Sequence, residues 1–592
     1  MRKKVYIAYD CIVSALGRGT EANVRAISGG VSGVSRYDDG PLASAVPDGA
    51  LMCGMIPEAV ASELREELGS GWTRTELLAV AAVDGLCEPK GNGFSSAGNA
   101  GGNAFGGGNA RRAFILSTTK GNVDLLEDYI MSGERDAQES VLPEDAFLAE
   151  TAKKIASRYG LENDCYVISN ACISGVSALV FAKRLIEDGR YDEAIVAGVD
   201  TLSPFIVSGF ASFRSLSAEM CRPYDASRCG LNLGEAAGAV LLTSEPCDAA
   251  VVLCGGAISD DANHISGPSR TGDALYFAIR DSMEDAGVGN DDISFINLHG
   301  TATAYNDEME SKAVALAGLS DKPVQSFKPY IGHTLGASGV VETILCTREL
   351  LCGSVWGTPG FEEPGTPMPL NVSKEACHAE MRFCIKTASG FGGCNAAVVL
   401  GLQPFVKECP DVETADVEII RKVHLDNSDA VACGAGNDFG AYIRMKYKEL
   451  GISNMKFYKM DDLSKLGYVA SHLLVDGTGF GPEEMAVLLQ NRSASLDTDI
   501  RHQENISCGP GASPAVFVYT LPNVASGEIS ISLGIKGENT FFISGEYGRE
   551  EIIRYARSVM SRTKARYCIA GWLEFLGGRF EASLELLERK FT

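Results

Sequence analysis

The chain has 592 residues, of which 45% are hydrophobic and 22% charged, and its formal net charge is −25. Such an acidic surface repels phosphate backbones and anionic lipid, which argues against nucleic acid or a membrane as a partner. No run approaches the ~20 apolar residues of a membrane span. The N-terminal apolar stretch is broken by Asp10, which predicts a strand and turn rather than a signal peptide. We therefore expect a cytoplasmic protein whose 18 cysteines are free thiols.

Short apolar runs alternate with amphipathic segments along much of the chain. The predicted strands are 5–9, 113–118, 165–169, 193–199, 238–243, 295–300 and 396–402. The predicted helices include 177–188, 274–286 and 308–317. This alternation predicts α/β layers with largely buried strands.

Two segments interrupt that pattern. Residues 91–109 are almost entirely Gly, Asn, Ala and Ser. They predict a flexible surface insertion rather than a phosphate-binding loop, because no strand–GxGxxG–helix context surrounds them. Residues 406–429 lie in an acidic stretch without strong periodicity, which predicts a linker. Residues 430–592 then form an additional domain.

Cys172 lies where a predicted strand ends and an apolar helix begins, in the segment NACISGVSALVF. The positive end of the helix dipole favours a thiolate at this place. Taken alone, a cysteine is more often a small buried hydrophobic residue than a nucleophile.

Two histidine segments favour the nucleophile. His299 follows a strand in INLHGTATAYND, and His333 follows Lys328 in SFKPYIGHTLGASG. A single histidine after a strand is more often structural. Two of them in small-residue turns, together with a cysteine at a helix start, indicate a thiol-based acyl-transfer site.

These segments resemble the signature blocks of the elongating β-ketoacyl-acyl carrier protein synthases of the thiolase superfamily. Five ordered blocks match: Cys172; His299, Thr301, Thr303, Asn306 and Asp307; Lys328, Gly332, His333, Gly336, Ala337, Gly339 and Glu342; the segment 221–242, with Ala236 in place of a glycine; and the segment 389–400, with Cys394 in place of a threonine. The resemblance covers residues 1–403.

The resemblance implies a thiolase-like five-layered αβαβα fold, usually in a homodimer, and a ping-pong reaction. Cys172 would accept an acyl group from acyl carrier protein. Malonyl-acyl carrier protein would then lose carbon dioxide and condense with it to give 3-oxoacyl-acyl carrier protein. The implied pathway is fatty-acid or polyketide/polyene biosynthesis. We expect no metal and no cofactor beyond the phosphopantetheine of the carrier.

Roles for individual residues follow from the same resemblance. The histidines would stabilise the enolate formed on decarboxylation, and Lys328 would hold local structure and charge. The backbone N–H groups of Cys172 and Phe391 would form the oxyanion hole. The remaining assignments are Gly390 and Gly392 for flexing the gate at Phe391, Thr301 and Thr303 for binding pantetheine, and Asp307, Glu310 and Glu342 for structural support.

Several departures bear on the subclass. The initiating synthases carry Asn where this chain has His333, so that subclass is disfavoured. A thiolase would use a second cysteine, but Cys394 follows GFGG and is interpreted as a packing residue. The alternative to a condensing enzyme is a non-catalytic partner subunit, similar to a chain-length factor, that binds acyl carrier protein. The intact Cys-His-His set argues against it.

The tail carries a weak internal repeat of the head. TFFIS at 540–544 corresponds to CYVIS at 165–169, and Glu546 and Tyr547 stand near the position of the nucleophile. The predicted domains are thus 1–246 and 247–405 for the two synthase halves, and 430–592 for a degenerate copy of the first half. Either this copy has a structural or partner-docking role, which we favour, or it is a half-site that regulates chain length.

Overall fold

The structure is a computed structural model that describes residues 2–87, 110–131, 142–246, 250–408 and 410–590. The Gly/Asn-rich segment 91–109 lies outside the described residues. Among those described, no helix combines the length and the apolarity needed to cross a membrane.

The first half of the synthase region is built on a five-stranded mixed sheet. The strands of this half are β1 (Tyr6–Ser14), β2 (Gly17–Arg18), β3 (Val34–Tyr37), β4 (Leu51–Gly54), β5 (Arg112–Ser117), β6 (Cys165–Ile168), β7 (Glu193–Asp200), β8 (Leu233–Gly234) and β9 (Ala236–Thr243). Of these, β2 pairs with β1, and β3, β4 and β8 form a separate three-stranded sheet. Its helices are α1 (Thr20–Ser28), α2 (Gly40–Ser44), α3 (Glu58–Leu68), α4 (Arg74–Asp84), α5 (Leu125–Met131), α6 (Leu148–Ser157), α7 (Ser174–Glu187) and α8 (Pro204–Ser212). The sheet order is β6-β5-β7-β9-β1, with β6, β5 and β7 parallel and the other pairings antiparallel.

The second half repeats this arrangement. Its strands are β10 (Val251–Asp260), β11 (Ile293–Asn297), β12 (Pro323–Gln325), β13 (Ser354–Val355), β14 (Asn371–Val372), β15 (Cys377–His378), β16 (Phe383–Ser389) and β17 (Cys394–Leu402). Its helices are α9 (Asp273–Ala286), α10 (Ala304–Leu316), α11 (Lys328–Ile331) and α12 (Ser338–Cys352). The order β12-β11-β16-β17-β10 has the same strand directions as the first sheet.

The tail contains a third sheet of the same order and directions, β20-β19-β21-β22-β18. Its strands are β18 (Val417–Asp426), β19 (Met485–Asn491), β20 (Asn539–Ile543), β21 (Tyr567–Leu576) and β22 (Arg579–Arg589). Its helices are α13 (Asn427–Ala432), α14 (Phe439–Glu449), α15 (Asp462–Val475), α16 (Leu496–Ser507), α17 (Pro514–Phe517), α18 (Asn523–Leu533) and α19 (Arg549–Arg562). Strand β18 falls inside the range predicted as a linker. Most of its residues are exposed, so its sequence lacks the apolar pattern by which a core strand is recognised. The interpretation of the tail as a degenerate copy stays a prediction.

The middle layer of the fold consists of α7 and α12, which pack on each other between the first two sheets. Their first turns touch backbone to backbone. A Cβ added to Gly175 would lie 2.8 Å from the nitrogen of Val340, and one added to Gly339 would lie 2.3 Å from the nitrogen of Val176. Only glycine permits this approach. It brings the turns that precede the two helices, which carry Cys172 and His333, into one place.

The tail sheet continues the first sheet across one antiparallel pairing. Ile168 of β6 pairs with Phe542 of β20, and Val167 pairs with Ile543. When CYVIS is aligned with TFFIS, Val167 corresponds to Phe542 and Ile168 to Ile543. Each of the two pairs therefore joins non-corresponding residues in a reciprocal way, and the contact is symmetric about a local two-fold axis. The edge of the strand that leads to the nucleophile is therefore occupied by the chain's own tail.

The predicted strands and helices of the synthase region are all present, with bounds that differ by a few residues. The predicted fold class is confirmed, since the layers are those of a thiolase-like α/β fold. Fully buried strands are the elements that the sequence predicts most clearly, because they are continuous apolar runs. All eight residues of β9 and all ten of β10 are buried.

Candidate active site

The nucleophile turn is a single 3-10 turn, Ala171–Ile173, that leads directly into α7. Ala171 adopts a left-handed conformation with φ of 47°. A strained residue before the nucleophile needs support from its surroundings. Asn170 provides this support through both polar atoms of its side-chain amide. Its Oδ1 accepts from the nitrogen of Phe541 at 2.7 Å, and its Nδ2 donates to the oxygen of Asn539 at 3.0 Å. Both partners belong to β20, so the tail anchors the turn.

Cys172 and His333 are in direct contact. The Sγ atom of Cys172 lies 3.1 Å from Nε2 of His333, whose Nδ1 lies 3.2 Å from Oγ of Ser338. Burial raises the pKa of the Cys172 thiol to about 12, and the charge of Lys328 offsets only part of this. Burial thus opposes the thiolate that the helix start is expected to favour, and that expectation stays a prediction. A thiol with a raised pKa needs a base that accepts its proton before it can attack. Nε2 of His333 lies within hydrogen-bond distance of Sγ and can be that base.

His299 completes the triad, with its ring centroid 4.9 Å from that of His333 and the planes nearly perpendicular. Glu310 holds the histidine turn by accepting from the nitrogens of His299 at 2.6 Å and Gly300 at 2.9 Å. The Nδ1 atom of His299 is buried and has no hydrogen-bond partner among the residues that the structure describes. Burial, with the charge of Lys328, lowers the pKa of both imidazoles well below the usual 6.5. Both rings are neutral at physiological pH.

A buried ion cluster lies behind the histidines. Glu342 accepts from Lys328 and from Lys386, and all three side chains are 1% exposed or less. The predicted supporting roles of Lys328 and Glu342 agree with this arrangement. Sequence reasoning missed Lys386, although a lysine inside the otherwise apolar strand FCIKTAS was a readable signal. The charges of Lys328 and Lys386 add to burial, the larger cause, in lowering the pKa of both imidazoles.

The remaining predicted residues lie around this centre. Asp307 accepts from the nitrogen of Tyr224 at 2.7 Å, and burial beside Glu310 raises the pKa of Asp307 to about 7. The hydroxyls of Thr301 and Thr303 are 2.9 Å apart.

The gate loop, residues 390–393, packs against the nucleophile turn and against the tail. A Cβ on Gly390 would lie 3.1 Å from the nitrogen of Cys172. The carbonyl of Phe391 accepts from Nδ2 of Asn523, in α18 of the tail, at 2.8 Å. Cys394 is buried, and burial raises its pKa well above 9, in keeping with a packing role.

Asp200 is a further residue that sequence reasoning missed. Its carboxylate accepts from the nitrogens of Thr119 at 3.0 Å and Gly336 at 2.7 Å and from Oγ1 of Thr118 at 2.8 Å. It thereby ties the loop after β5 to the turn after His333. Nothing in the segment EAIVAGVD distinguishes this aspartate from an ordinary strand end.

One sulfur and two imidazole nitrogens within 4.8 Å of one another also form a donor set that a metal ion could use. The buried ammonium groups of Lys328 and Lys386 oppose a dication at this place, since both already depress the pKa of His333. The expectation of a metal-free site stays a prediction.

Comparisons with known proteins agree with this site. The family model "Beta-ketoacyl synthase, N-terminal domain" matches residues 111–246, and "Beta-ketoacyl synthase, C-terminal domain" matches residues 249–361. A putative polyketide beta-ketoacyl synthase 1 from Streptomyces halstedii is 31% identical over 318 residues, which are 49% of this chain and 75% of the relative. A 3-oxoacyl-acyl-carrier-protein synthase 2 from Vibrio harveyi is 28% identical over 312 residues, 49% of this chain and 75% of the relative.

A solved structure extends the likeness to the tail. The structure titled "PfaC Keto synthase-Chain length factor" superposes with a TM-score of 0.75 over 99% of this chain and 78% of its own length. At 13% sequence identity, this comparison concerns the fold alone.

The fold and the Cys-His-His arrangement define a condensing enzyme of the thiolase type. The chain belongs to the β-ketoacyl synthase family, the acyltransferases that carry out Claisen condensations in fatty-acid and polyketide biosynthesis.

Proposed function

We propose that this chain condenses an acyl group held on Cys172 with malonyl-acyl carrier protein to give 3-oxoacyl-acyl carrier protein. The observation that carries the proposal is the 3.1 Å contact between the Cys172 thiol and a neutral His333. In the first half-reaction, the thiol loses its proton to Nε2 and attacks the carrier thioester. The bond from the acyl carbon to the carrier sulfur breaks as the bond to Sγ forms, and the proton passes to the departing carrier thiol.

In the second half-reaction, malonyl-acyl carrier protein loses carbon dioxide, and the released electron pair forms an enolate. Its oxygen needs hydrogen-bond donors in a dry site. The two neutral imidazoles supply N–H groups there, and His299 has a buried Nδ1 that no group of the described protein uses. The enolate carbon attacks the acyl-cysteine carbonyl, the bond from that carbon to Sγ breaks, and the released Cys172 thiolate takes up one proton from solvent.

The supporting roles are proposals on the same footing. The backbone N–H groups of Cys172 and Phe391 form the oxyanion hole for the acyl carbonyl, with Gly390 and Gly392 allowing the loop to move. Thr301 and Thr303 hold the pantetheine arm. The charges of the buried ion cluster add to burial in keeping both histidines neutral. Glu310 holds the turn at His299, and Asp307 holds the neighbouring backbone at Tyr224.

The carrier protein docks on a basic segment of the tail, residues 444–459. Across α14 and the turn that follows, this segment carries five cationic residues and one carboxylate: Arg444, Lys446, Lys448, Glu449, Lys456 and Lys459. Of the five cations, Lys446 pairs with Glu449 at 3.0 Å, and no ion pair of the described residues occupies the others. Three apolar side chains are exposed among them, Ile452 at 38%, Met455 at 78% and Tyr458 at 53%. An acidic protein with an apolar centre fits such a surface.

The basic segment is linked to the gate loop through His264 and the residue that follows it. The charge of Lys456 acts on His264 and on Glu528, contributing to the lowered pKa of His264. The residue after His264 accepts from the nitrogen of Gly392 at 2.6 Å through its carbonyl. A carrier bound at Lys456 would thus hold its pantetheine arm near the entrance. The first-half helix α3, by contrast, is acidic, with four glutamates and one arginine.

The predicted homodimer stays a proposal, and the structure restricts which surface its interface can use. Because β20 of the same chain pairs with β6, two copies cannot pair through that strand edge while the tail is in place. A homodimer would need another surface.

The proposed function is tested by trapping the acyl group. The protein is incubated with acyl-acyl carrier protein, and the mass added to each cysteine is measured by peptide mass spectrometry. We expect the acyl group on Cys172, none on Cys172→Ala, and normal loading of Cys394→Ala, which removes the neighbouring buried thiol. Persistent acylation of Cys172→Ala would contradict the assignment. Parent protein that takes up no acyl group would favour the alternative of a non-catalytic partner.

A further inference from the structure

The backbone of the gate loop rests on helix α18 of the tail. A Cβ added to Gly527 would lie 2.4 Å from the carbonyl oxygen of Gly392, so only a glycine leaves room for the loop at this place. Asn523 lies one turn earlier on the same face of the helix. Its Nδ2 is the nearest atom to a Cβ added to Gly392, at 2.6 Å. Two residues of the tail therefore seat the gate loop.

Asn523 directs its side-chain amide at this loop. Its Nδ2 donates to the carbonyl oxygen of Phe391 at 2.8 Å and to Sγ of Cys394 at 3.6 Å. The side chain is 1% exposed, and its Oδ1 has no hydrogen-bond partner among the described residues. The opposite orientation of the amide would set one oxygen against another, so the observed orientation is the one that forms a bond. Within the described protein, both hydrogen bonds of this buried amide go to the segment 391–394.

The loop also carries an N–H group beside the nucleophile. A Cβ on Gly390 would lie 3.1 Å from the nitrogen of Cys172, so the peptide between residues 390 and 391 borders the nucleophile turn. The nitrogen of Phe391 donates to none of the groups that the structure describes. The next nitrogen along the loop, that of Gly392, donates to the carbonyl oxygen of Ile265 at 2.6 Å. The N–H of Phe391 is therefore open to the oxygen of an acyl group on the sulfur.

The bond from Asn523 restrains the residue that carries this N–H. The two glycines that follow Phe391 both have left-handed backbones, with φ of 92° at Gly392 and 85° at Gly393, and have no side chains to anchor them. A donor stabilises an oxyanion only when it lies 2.7–3.1 Å from the oxygen. A displacement of about 1 Å is enough to cost much of the rate. Loss of the bond should therefore weaken the donor at Phe391.

We propose that Asn523 of the tail is a positioning residue for acylation, because its hydrogen bond to Phe391 holds the N–H of that residue in the oxyanion hole beside Cys172. The inference rests on the proposed function and adds a residue of the tail to its machinery. The tail carries no nucleophile, yet it supports the electrostatics at another one.

The test compares two reactions of the same sulfur in the full chain. Acylation by acetyl-acyl carrier protein develops negative charge on the thioester oxygen. Alkylation by iodoacetamide forms a carbon–sulfur bond as the carbon–iodine bond breaks, with iodide and the thiol proton released to solvent, and no carbonyl oxygen gains charge. Both rates are measured on the Cys172 peptide by mass spectrometry. Asn523→Ala should lower acylation at saturating carrier by ~10-fold or more and leave alkylation near the parental rate.

A second variant displaces the same loop by another route. The methyl group of Gly527→Ala would meet the carbonyl oxygen of Gly392, so this variant should also lower acylation relative to alkylation. Thermal unfolding confirms that each variant is folded; where Asn523→Ala is not, Gly527→Ala decides.

Ser526→Ala is the matched control. Ser526 lies on the same helix and is fully buried, and its hydroxyl has no hydrogen-bond partner among the residues that the structure describes. The variant should leave both rates at the parental value.

The outcomes separate this inference from the proposed function. Folded variants with the parental ratio of acylation to alkylation would overturn the positioning role while acylation itself stands. An equal fall in both rates would mark a structural role only, and an equal rise would make the amide a latch on the gate; either would overturn the inference. A parent that is alkylated at Cys172 but never acylated would overturn the proposed function and this inference with it.

Discussion

The Sγ atom of Cys172 and Nε2 of His333 face each other at 3.1 Å across the junction of two synthase halves. The turns that carry them precede α7 and α12, and those helices touch at Gly175 and Gly339. The geometry of the triad thus depends on a contact between backbones that no larger residue would allow.

His299 should matter more for condensation than for acylation. Decarboxylation develops negative charge on the malonyl thioester oxygen, and loss of one donor to such an oxyanion costs ~10²–10³ in rate. We expect His299→Ala to lower decarboxylation of malonyl-acyl carrier protein by this factor, while acyl loading of Cys172 survives. The measurement is carbon dioxide release set against acyl loading of the same preparation. Equal losses in both steps would contradict the division of roles.

In a plot of decarboxylation rate against pH, the acidic limb, where the rate falls as the histidines become protonated, should have its midpoint below pH 6.5. An ordinary histidine is half protonated near that pH, but burial and the charge of Lys328 hold the pKa of both imidazoles well below it. Both rings therefore stay neutral as the pH falls through 6.5. Lys328→Met removes the nearest positive charge and should move the limb upward, while Lys386→Met should move it less. A limb near 6.5 in the parent, unmoved in both variants, would contradict this account.

Much of the site could be predicted from the sequence because its motifs are local. Cys172, His299 and His333 each lie in a turn that the small residues around it predict from the sequence. The strands before these turns are continuous apolar runs. What the sequence did not reveal depends on tertiary contacts. The raised pKa of Cys172 is set by burial, and Lys386 acquires its role only where β16 passes Glu342. The bond from Asn523 to Phe391 requires the docking of a segment 132 residues further along the chain.

Glu342 should be far less tolerant of substitution than Glu349, one of its neighbours on α12. Within the part of the chain that the structure describes, Glu342 is the one carboxylate that accepts from the buried Lys328 and Lys386. Glu342→Gln leaves two ammonium groups unpaired, which costs ~3–5 kcal/mol. Burial raises the pKa of Glu349 well above its usual range, and its partners, the nitrogen of Trp356 and Nε2 of Gln325, carry no charge, so Glu349→Gln should cost less. Urea unfolding of the two variants checks this, and similar midpoints would contradict it.

The basic segment of the tail should govern carrier binding without affecting the chemistry. Lys448 and Lys456 are exposed and lie in residues 444–459, in a chain with a net charge of −25. Reversal of both charges to Glu should raise the KM for acyl carrier protein and weaken its salt dependence, because the lost attraction is screened by salt in the parent. The rate at saturating carrier should change little. Lys374→Glu, an exposed lysine of the second half, is the control and should leave KM near the parental value. If the double variant retains the parental KM and salt dependence, the carrier docks on a different surface.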